Sequence, residues 1–125
     1  SEMCIRDRVD LMEYMRGPDG CAWDRRQTID DFKIHFKNES QEVLEALANR
    51  DYENLKEELG DILWHILFIS QIAKERGLFT VDDVLDGLKD KIVRRHPHVF
   101  DGRRLETAED VQAEYRKIKE RESRR

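Results

Sequence analysis

The sequence predicts an all-α protein: one domain of antiparallel helices with a core completed by self-association. Three observations carry this. Glycine is sparse, six in 125 residues, and the period-2 alternation of half-buried strands is nearly absent. Apolar residues instead recur at three- and four-residue spacing through successive stretches. Thr28/Asp31, Thr80/Asp83 and Thr107/Asp110 each form the Thr-x-x-Asp pattern that opens a helix, and both prolines, Pro18 and Pro97, lie outside the periodic stretches.

Ser1–Arg8 reads SEMCIRDR. Its Met-Cys-Ile-Arg-Asp-Arg run resembles an in-frame translation of a sequencing adapter, so residues 1–8 are set aside, Cys4 is given no role, and the expected domain is 9–125. Val9, Met12 and Met15 sit at helical spacing and predict a short helix to Arg16, stopped by Gly17-Pro18-Asp19-Gly20. Cys21-Ala22-Trp23-Asp24 is expected as a loop, with Trp23 either plugging the core or offering a stacking face. The box at Thr28 predicts a helix to about Asn49 with Phe36, Val43, Leu44 and Leu47 as its apolar stripe. Asp51 caps the next, from about Tyr52 to Arg76. Leu55, Leu59, Ile62, Leu63, Ile66, Ile69 and Ala73 form its main stripe, and Trp64, Leu67 and Phe68 cover the remaining sides. A helix apolar nearly all round must be buried nearly all round. A single chain of this size cannot do that, which predicts a homo-oligomer. Gly77 ends the helix, Thr80 opens another through Val84, Leu85, Leu88 and Ile92, and Thr107 opens the last through Val111, Tyr115 and Ile118, with a charged tail from Lys119 expected to fray.

Charged residues make up 41% of the chain and the net charge is −5. That balance disfavours bulk nucleic-acid binding, which needs clustered Lys and Arg, and makes an anionic ligand depend on a cation or a local basic patch. No 18-residue apolar run predicts a membrane span. No signal peptide is visible, so the expected location is cytoplasmic. The two cysteines, Cys4 and Cys21, have neither metal-ligand nor disulfide spacing.

The chemistry concentrates in two acidic pairs. Glu39 and Glu42 are one helical turn apart, as are Glu58 and Asp61, so each pair faces one way. Residue 50 is the midpoint of both 39/61 and 42/58. A reversal at Arg50 therefore sets Glu39 level with Asp61 and Glu42 level with Glu58. Both pairs flank their apolar stripes in the same sense, which gathers four carboxylates on one side of the seam. Such a group cannot stay ionised without compensation, and a hard divalent cation, Mg2+ or Mn2+, supplies it. Gly60 is expected to let the helices approach closely, and His65 is either a support to this cluster or a core histidine. The competing reading is a solvated face, since a chain with 28 acidic residues makes such pairs by chance. A second constellation, Lys91, Arg94, Arg95, His96 and His98, reads either as cations complementing a helix C-terminus or as a phosphate clamp, to which Lys33, His35 and Lys37 could add.

Taken together, Cys21-Ala22-Trp23-Asp24, the two acidic pairs and Arg94-Arg95-His96-Pro97-His98-Val99-Phe100 resemble the MazG nucleoside triphosphate pyrophosphohydrolases, closest to the N-terminal-type domain, from about Val9 to the last helix. The resemblance implies the all-α NTP pyrophosphatase bundle, built as dimers or tetramers. It implies magnesium-dependent cleavage between the α and β phosphates, giving the monophosphate and pyrophosphate in nucleotide-pool housekeeping. By it Glu39, Glu42, Glu58 and Asp61 are metal ligands, Lys91 and Arg95 hold the triphosphate, segments His35–Asn38 (with Lys37) and Asn54–Glu57 line the nucleotide site, and Tyr115 and Lys119 lie near the nucleotide. The chain departs from the family pattern at Ala22, Gln41 and Tyr115, and at Asn38, which stands for a glutamate beside the first ligand. That last change implies weaker metal binding. The alternative is a catalytically weak or silent helical dimerisation or regulatory module, and a narrow dUTPase-like or histidine-pathway pyrophosphohydrolase is a further option.

Overall fold

The computed structural model describes residues 5–102 and 104–124, and among them every regular element is a helix; Cys4 lies outside the described residues. The elements are α1 (Ile5–Met15), α2 (Ala22–Arg26), α3 (Phe32–Ala48), α4 (Tyr52–Glu75), α5 (Val81–Arg94), α6 (Pro97–Phe100) and α7 (Ala108–Ser123). They fall into two compact units, residues 1–81 and 82–125. The all-α expectation holds.

In the first unit α3 and α4 form a helical hairpin, and α1 packs on α4. The reversal lies at Arg50, as the spacing of the acidic pairs requires. The amide of Asp51 donates to Ala46 O at 3.0 Å and that of Arg50 to Leu47 O at 3.2 Å. This is the six-to-one and five-to-two pattern that closes a helix on a left-handed residue; Arg50 takes that place with φ +53°. The Asp51 side chain then accepts from the Asn54 amide at 3.2 Å and caps α4. Gly77 repeats the motif at the far end with φ +69°, Leu78 N donating to Ala73 O at 2.9 Å.

The core lies where α1 and the second half of α4 meet. Val9 and Met12 of α1 are buried with Phe32, Leu67, Phe68, Ile72 and Ala73, and Ala46 is buried near the α3–α4 reversal. Arg16 fastens this corner. Its Nε and Nη2 donate to the two carboxylate oxygens of Glu75 at 2.8 Å each, its Nη1 reaches Asp24 O and, at 3.2 Å, Gln27 O, and its guanidinium lies 5.6 Å from the centre of the Phe68 ring. The Arg16 side chain is 8% exposed and that of Glu75 40%. The contact is therefore worth the low end of the ~1.5–3 kcal/mol of charge-assisted hydrogen bonds.

Several expectations are corrected. The first helix begins at Ile5 and takes in residues 5–8. Cys21–Asp24 is not all loop: α2 starts at Ala22. Trp23 does not plug the core. It is 48% exposed, while its neighbours Asp24 and Gln27 are buried, because the backbone carbonyls of both turn inward to Arg16. The Thr28/Asp31 box does form, with Thr28 N and Oγ1 donating to Asp31 Oδ2 at 2.8 and 3.0 Å. It closes a tight turn, and α3 starts only at Phe32. The buried side of α3 is Phe32 and Ala46, with His35, Glu39, Ser40 and Val43 half-buried, whereas Phe36, Leu44 and Leu47 of the expected stripe are exposed. Gly60 is not a point of close approach, since a β-carbon there would meet nothing within 4 Å.

The second unit holds α5, α6 and α7. Pro97 opens the short α6 at its first turn, where its missing N–H costs nothing. Thr107 Oγ1 accepts from the Asp110 amide at 3.1 Å and caps α7. The tail expected to fray from Lys119 is helical through Ser123. No described helix is long and apolar enough to cross a membrane.

Candidate functional site

The hairpin brings three of the four expected metal ligands together. Oxygens of Glu39, Glu58 and Asp61 lie within 4.8 Å of one another. Glu39 Oε1 and Glu58 Oε2 are buried with no hydrogen-bond partner. A buried carboxylate oxygen without a donor is costly, and burial here follows from the seam: Glu39 is on the face of α3 turned to α4, and Glu58 is among the buried residues of α4. Glu42, the fourth, is more exposed and outside this triplet, but its carboxyl reaches Glu58.

The electrostatics report the crowding. Contact with Glu39 is the chief reason the Glu58 carboxyl is pushed above its ordinary range; Glu42 pulls it back, while burial and the charges of Glu39 and Asp61 push it further up. Glu42 is raised too, first by its contact with Glu58. Carboxyls pushed up by one another are a set short of positive charge. Two unpartnered buried oxygens, an all-oxygen donor set and an exposed Asp61 on the open side fit a hard divalent cation. The donor set fits Mg2+ and Mn2+ alike.

One turn along each helix from this cluster stand two histidines. His35 Nε2 lies 3.1 Å from Gln27 Oε1, and Gln27 Nε2 donates to Trp23 O at 3.1 Å. The His35 ring is 5.6 Å from that of Trp23 and 5.3 Å from that of Phe32. His65 is half-buried beside Phe32 and Phe36, 5.5 and 6.3 Å between ring centres, with Nδ1 buried and unpartnered. Burial first, and then the charge of His35, press its imidazole toward the neutral form, with Asp61 opposing. Lys37 and Asn38 on α3 and Asn54 and Glu57 on α4 are exposed; Lys33 pairs with Asp30 at 3.6 Å.

In the second unit the basic string is not a row of free cations. Lys91 is exposed. Arg94 Nε donates to Glu122 Oε1 at 2.6 Å. Arg95 donates from Nε and Nη2 to Glu122 Oε2 at 3.0 and 2.9 Å and from Nη1 to the Tyr115 hydroxyl at 3.1 Å. Lys119 Nζ sits 5.5 Å from the centre of the Tyr115 ring. Hydrogen bonds from Arg95 and then Arg94 hold the Glu122 carboxyl down to about 2. Sequence reasoning missed Glu122, although Tyr115, the buried Ile118 and Glu122 are spaced by three and four on α7, the signature of one inward face. It also missed Gln27, for which the sequence carries no local signal.

The profile of the MazG nucleotide pyrophosphohydrolase domain matches residues 27–100. A Thermotoga maritima protein named nucleoside triphosphate pyrophosphohydrolase/pyrophosphatase MazG is 46% identical over 96 residues, covering 77% of this chain and 38% of its own length. An Escherichia coli nucleoside triphosphate pyrophosphohydrolase is 39% identical over 115 residues, covering 91% of this chain and 44% of its own. The chain thus spans less than half the length of these relatives. A crystal structure of a MazG-related protein from Thermotoga maritima superposes with a TM-score of 0.74 at 24% identity, over 91% of this chain and 98% of that one, and so shares the fold. On the domain match and these identities, the chain belongs to the MazG nucleotide pyrophosphohydrolase domain family.

Proposed function

We propose that this chain hydrolyses nucleoside triphosphates to the monophosphate and pyrophosphate with Mg2+, Mn2+ being able to substitute, as part of nucleotide-pool housekeeping in the cytoplasm. The observation that carries the reading is the convergence of Glu39, Glu58 and Asp61 within 4.8 Å around two unpartnered buried oxygens. The names of the relatives point to the same substrate class. Glu39, Glu58 and Asp61 hold the cation, with Glu42 steadying Glu58 from the exposed side. When bound, the cation neutralises phosphoryl oxygens and favours ionisation of water. The chain's own residues hold the carboxylates aligned across the α3–α4 seam, and the Phe32, Phe36 and His65 rings line one flank. By the resemblance to the family, Lys91 and Arg95 are assigned to the phosphates, Tyr115 and Lys119 to the nucleotide, and His35, Lys37, Asn38, Asn54 and Glu57 to the lining of its site.

The test is pyrophosphate release over a panel of common and modified nucleoside triphosphates. Activity should require Mg2+ or Mn2+ and vanish with EDTA. Glu58→Gln and Asp61→Asn should fold normally and lose at least about 100-fold, more than the 10–100-fold typical of residues that only support a ligand. Full rate in either variant would remove the metal assignment. Inactivity of the folded, unaltered chain on every nucleotide would leave the silent helical module as the better reading.

We also propose that the active form is a homodimer or tetramer. Leu44 and Leu47 of α3 and Leu59 and Leu63 of α4 are 57, 52, 51 and 44% exposed. Large aliphatic side chains held in water along both helices of the hairpin support self-association, which covers such a surface.

A further inference from the structure

Arg95 is held on three sides. Glu122 Oε2 accepts from its Nε and Nη2 at 3.0 and 2.9 Å, the Tyr115 hydroxyl accepts from Nη1 at 3.1 Å, and the Tyr115 ring lies 5.5 Å from the guanidinium carbon. These contacts use the Nε hydrogen and one hydrogen on each terminal nitrogen, so Nη1 and Nη2 each keep another N–H. The other Glu122 oxygen is taken by Arg94 at 2.6 Å. One carboxylate among Arg94, Arg95 and, over the same tyrosine ring, Lys119 leaves the cluster positive.

We propose that Glu122 is a positioning residue for Arg95, fixing its guanidinium as a preformed fork for a phosphate of the nucleoside triphosphate. This rests on the reading of Arg95 as a phosphate ligand and adds to it the residue that aims the side chain. A free arginine loses rotamer freedom when it closes on an anion. Arg95 has lost that freedom on folding, held by Glu122 and Tyr115, so more of its interaction with phosphate appears as affinity. The Arg94–Glu122 contact performs the same service for the carboxylate: with Oε1 tied, Oε2 is left to the Nε side of Arg95.

The experiment is calorimetric binding of inorganic pyrophosphate, with magnesium, to the full chain and to Glu122→Gln, Arg95→Ala and the double variant. Circular dichroism checks that each is folded, and Tyr115→Phe serves as a second, milder probe. Arg95→Ala should weaken binding. Glu122→Gln should weaken it about tenfold, the size of one charge-assisted hydrogen bond, and Tyr115→Phe by less. In the double variant the Glu122 change should have no further effect, a coupling that a merely structural salt bridge would not produce. Unchanged affinity in Glu122→Gln with a loss in Arg95→Ala overturns the positioning role and leaves Arg95 as a ligand. Tighter binding in Glu122→Gln also overturns it, since Glu122 then competes with phosphate. Unchanged affinity in Arg95→Ala, or no binding by the unaltered chain, overturns the phosphate-ligand reading together with the proposal.

Discussion

At Gly20 a β-carbon would stand 2.3 Å from both Met15 O and Tyr14 O. Those oxygens are backbone and already committed to the end of α1, where Met15 O accepts from Cys21 N at 2.8 Å. The clash cannot be relieved by turning a side chain. Gly20→Ala should therefore lower stability by about 1–3 kcal/mol, the usual cost of forcing atoms into a packed site, read as a fall in the thermal midpoint. Gly87 makes the control: it lies inside α5 and a β-carbon there meets nothing within 4 Å. Gly87→Ala should raise stability by about 0.5–1 kcal/mol from helix propensity. Equal effects of the two changes would mean that the α1–α2 turn yields more easily than its hydrogen bonds suggest. The sequence puts Gly20 in a turn and Gly87 in a helical stretch, but the approach of Met15 O and Tyr14 O to Gly20 depends on how the chain folds back after Pro18.

The α3–α4 reversal shows what an element can reveal in advance. Asp51 as a cap, Gly77 as a stop and the Thr107/Asp110 box are local chemistry, and each appears in the structure where the residue types put it. The equal spacing of the acidic pairs about residue 50 was legible for the same reason: a helix fixes its own period, so only the turn had to be located. What was not legible is which side of α3 faces α4. Its apolar residues lie on two surfaces, Phe32/Ala46 and Phe36/Leu44/Leu47, and a helical wheel cannot say which is covered within the chain. Trp23 failed likewise, because its exposure follows from Arg16 drawing the Asp24 and Gln27 carbonyls inward, a contact made across the fold. The turn itself is testable. Arg50 sits at φ +53°, a conformation that costs a residue with a β-carbon about 1–2 kcal/mol, against roughly 0.4–1 kcal/mol of unfolded-chain entropy conceded to glycine. Arg50→Gly should thus raise the thermal midpoint slightly, and Arg50→Val, with a branched β-carbon, should lower it. A lower midpoint for Arg50→Gly would mean that the arginine side chain itself holds the turn.

For the whole molecule the decisive fact is that the hairpin carrying the acidic cluster leaves its own apolar residues in water. Leu44, Leu47, Leu59 and Leu63 are already about half covered, so each would gain roughly 1 kcal/mol if fully buried, and together they offset part of the cost of association. Leu59 and Leu63 are each two residues from Asp61 on α4 and face away from it, so a second copy seated on this surface would brace the hairpin that holds the cluster. Light scattering should then find the unaltered chain as a dimer or tetramer at micromolar concentration. Leu47→Glu and Leu63→Glu, each placing a charge on the apolar surface without touching Glu39, Glu58 or Asp61, should shift the population toward monomer and reduce pyrophosphate release along with it. Activity that falls while the mass stays constant would place these leucines in the site of a single chain. A monomeric unaltered chain would remove self-association from the account, and the exposed surface would then need another partner.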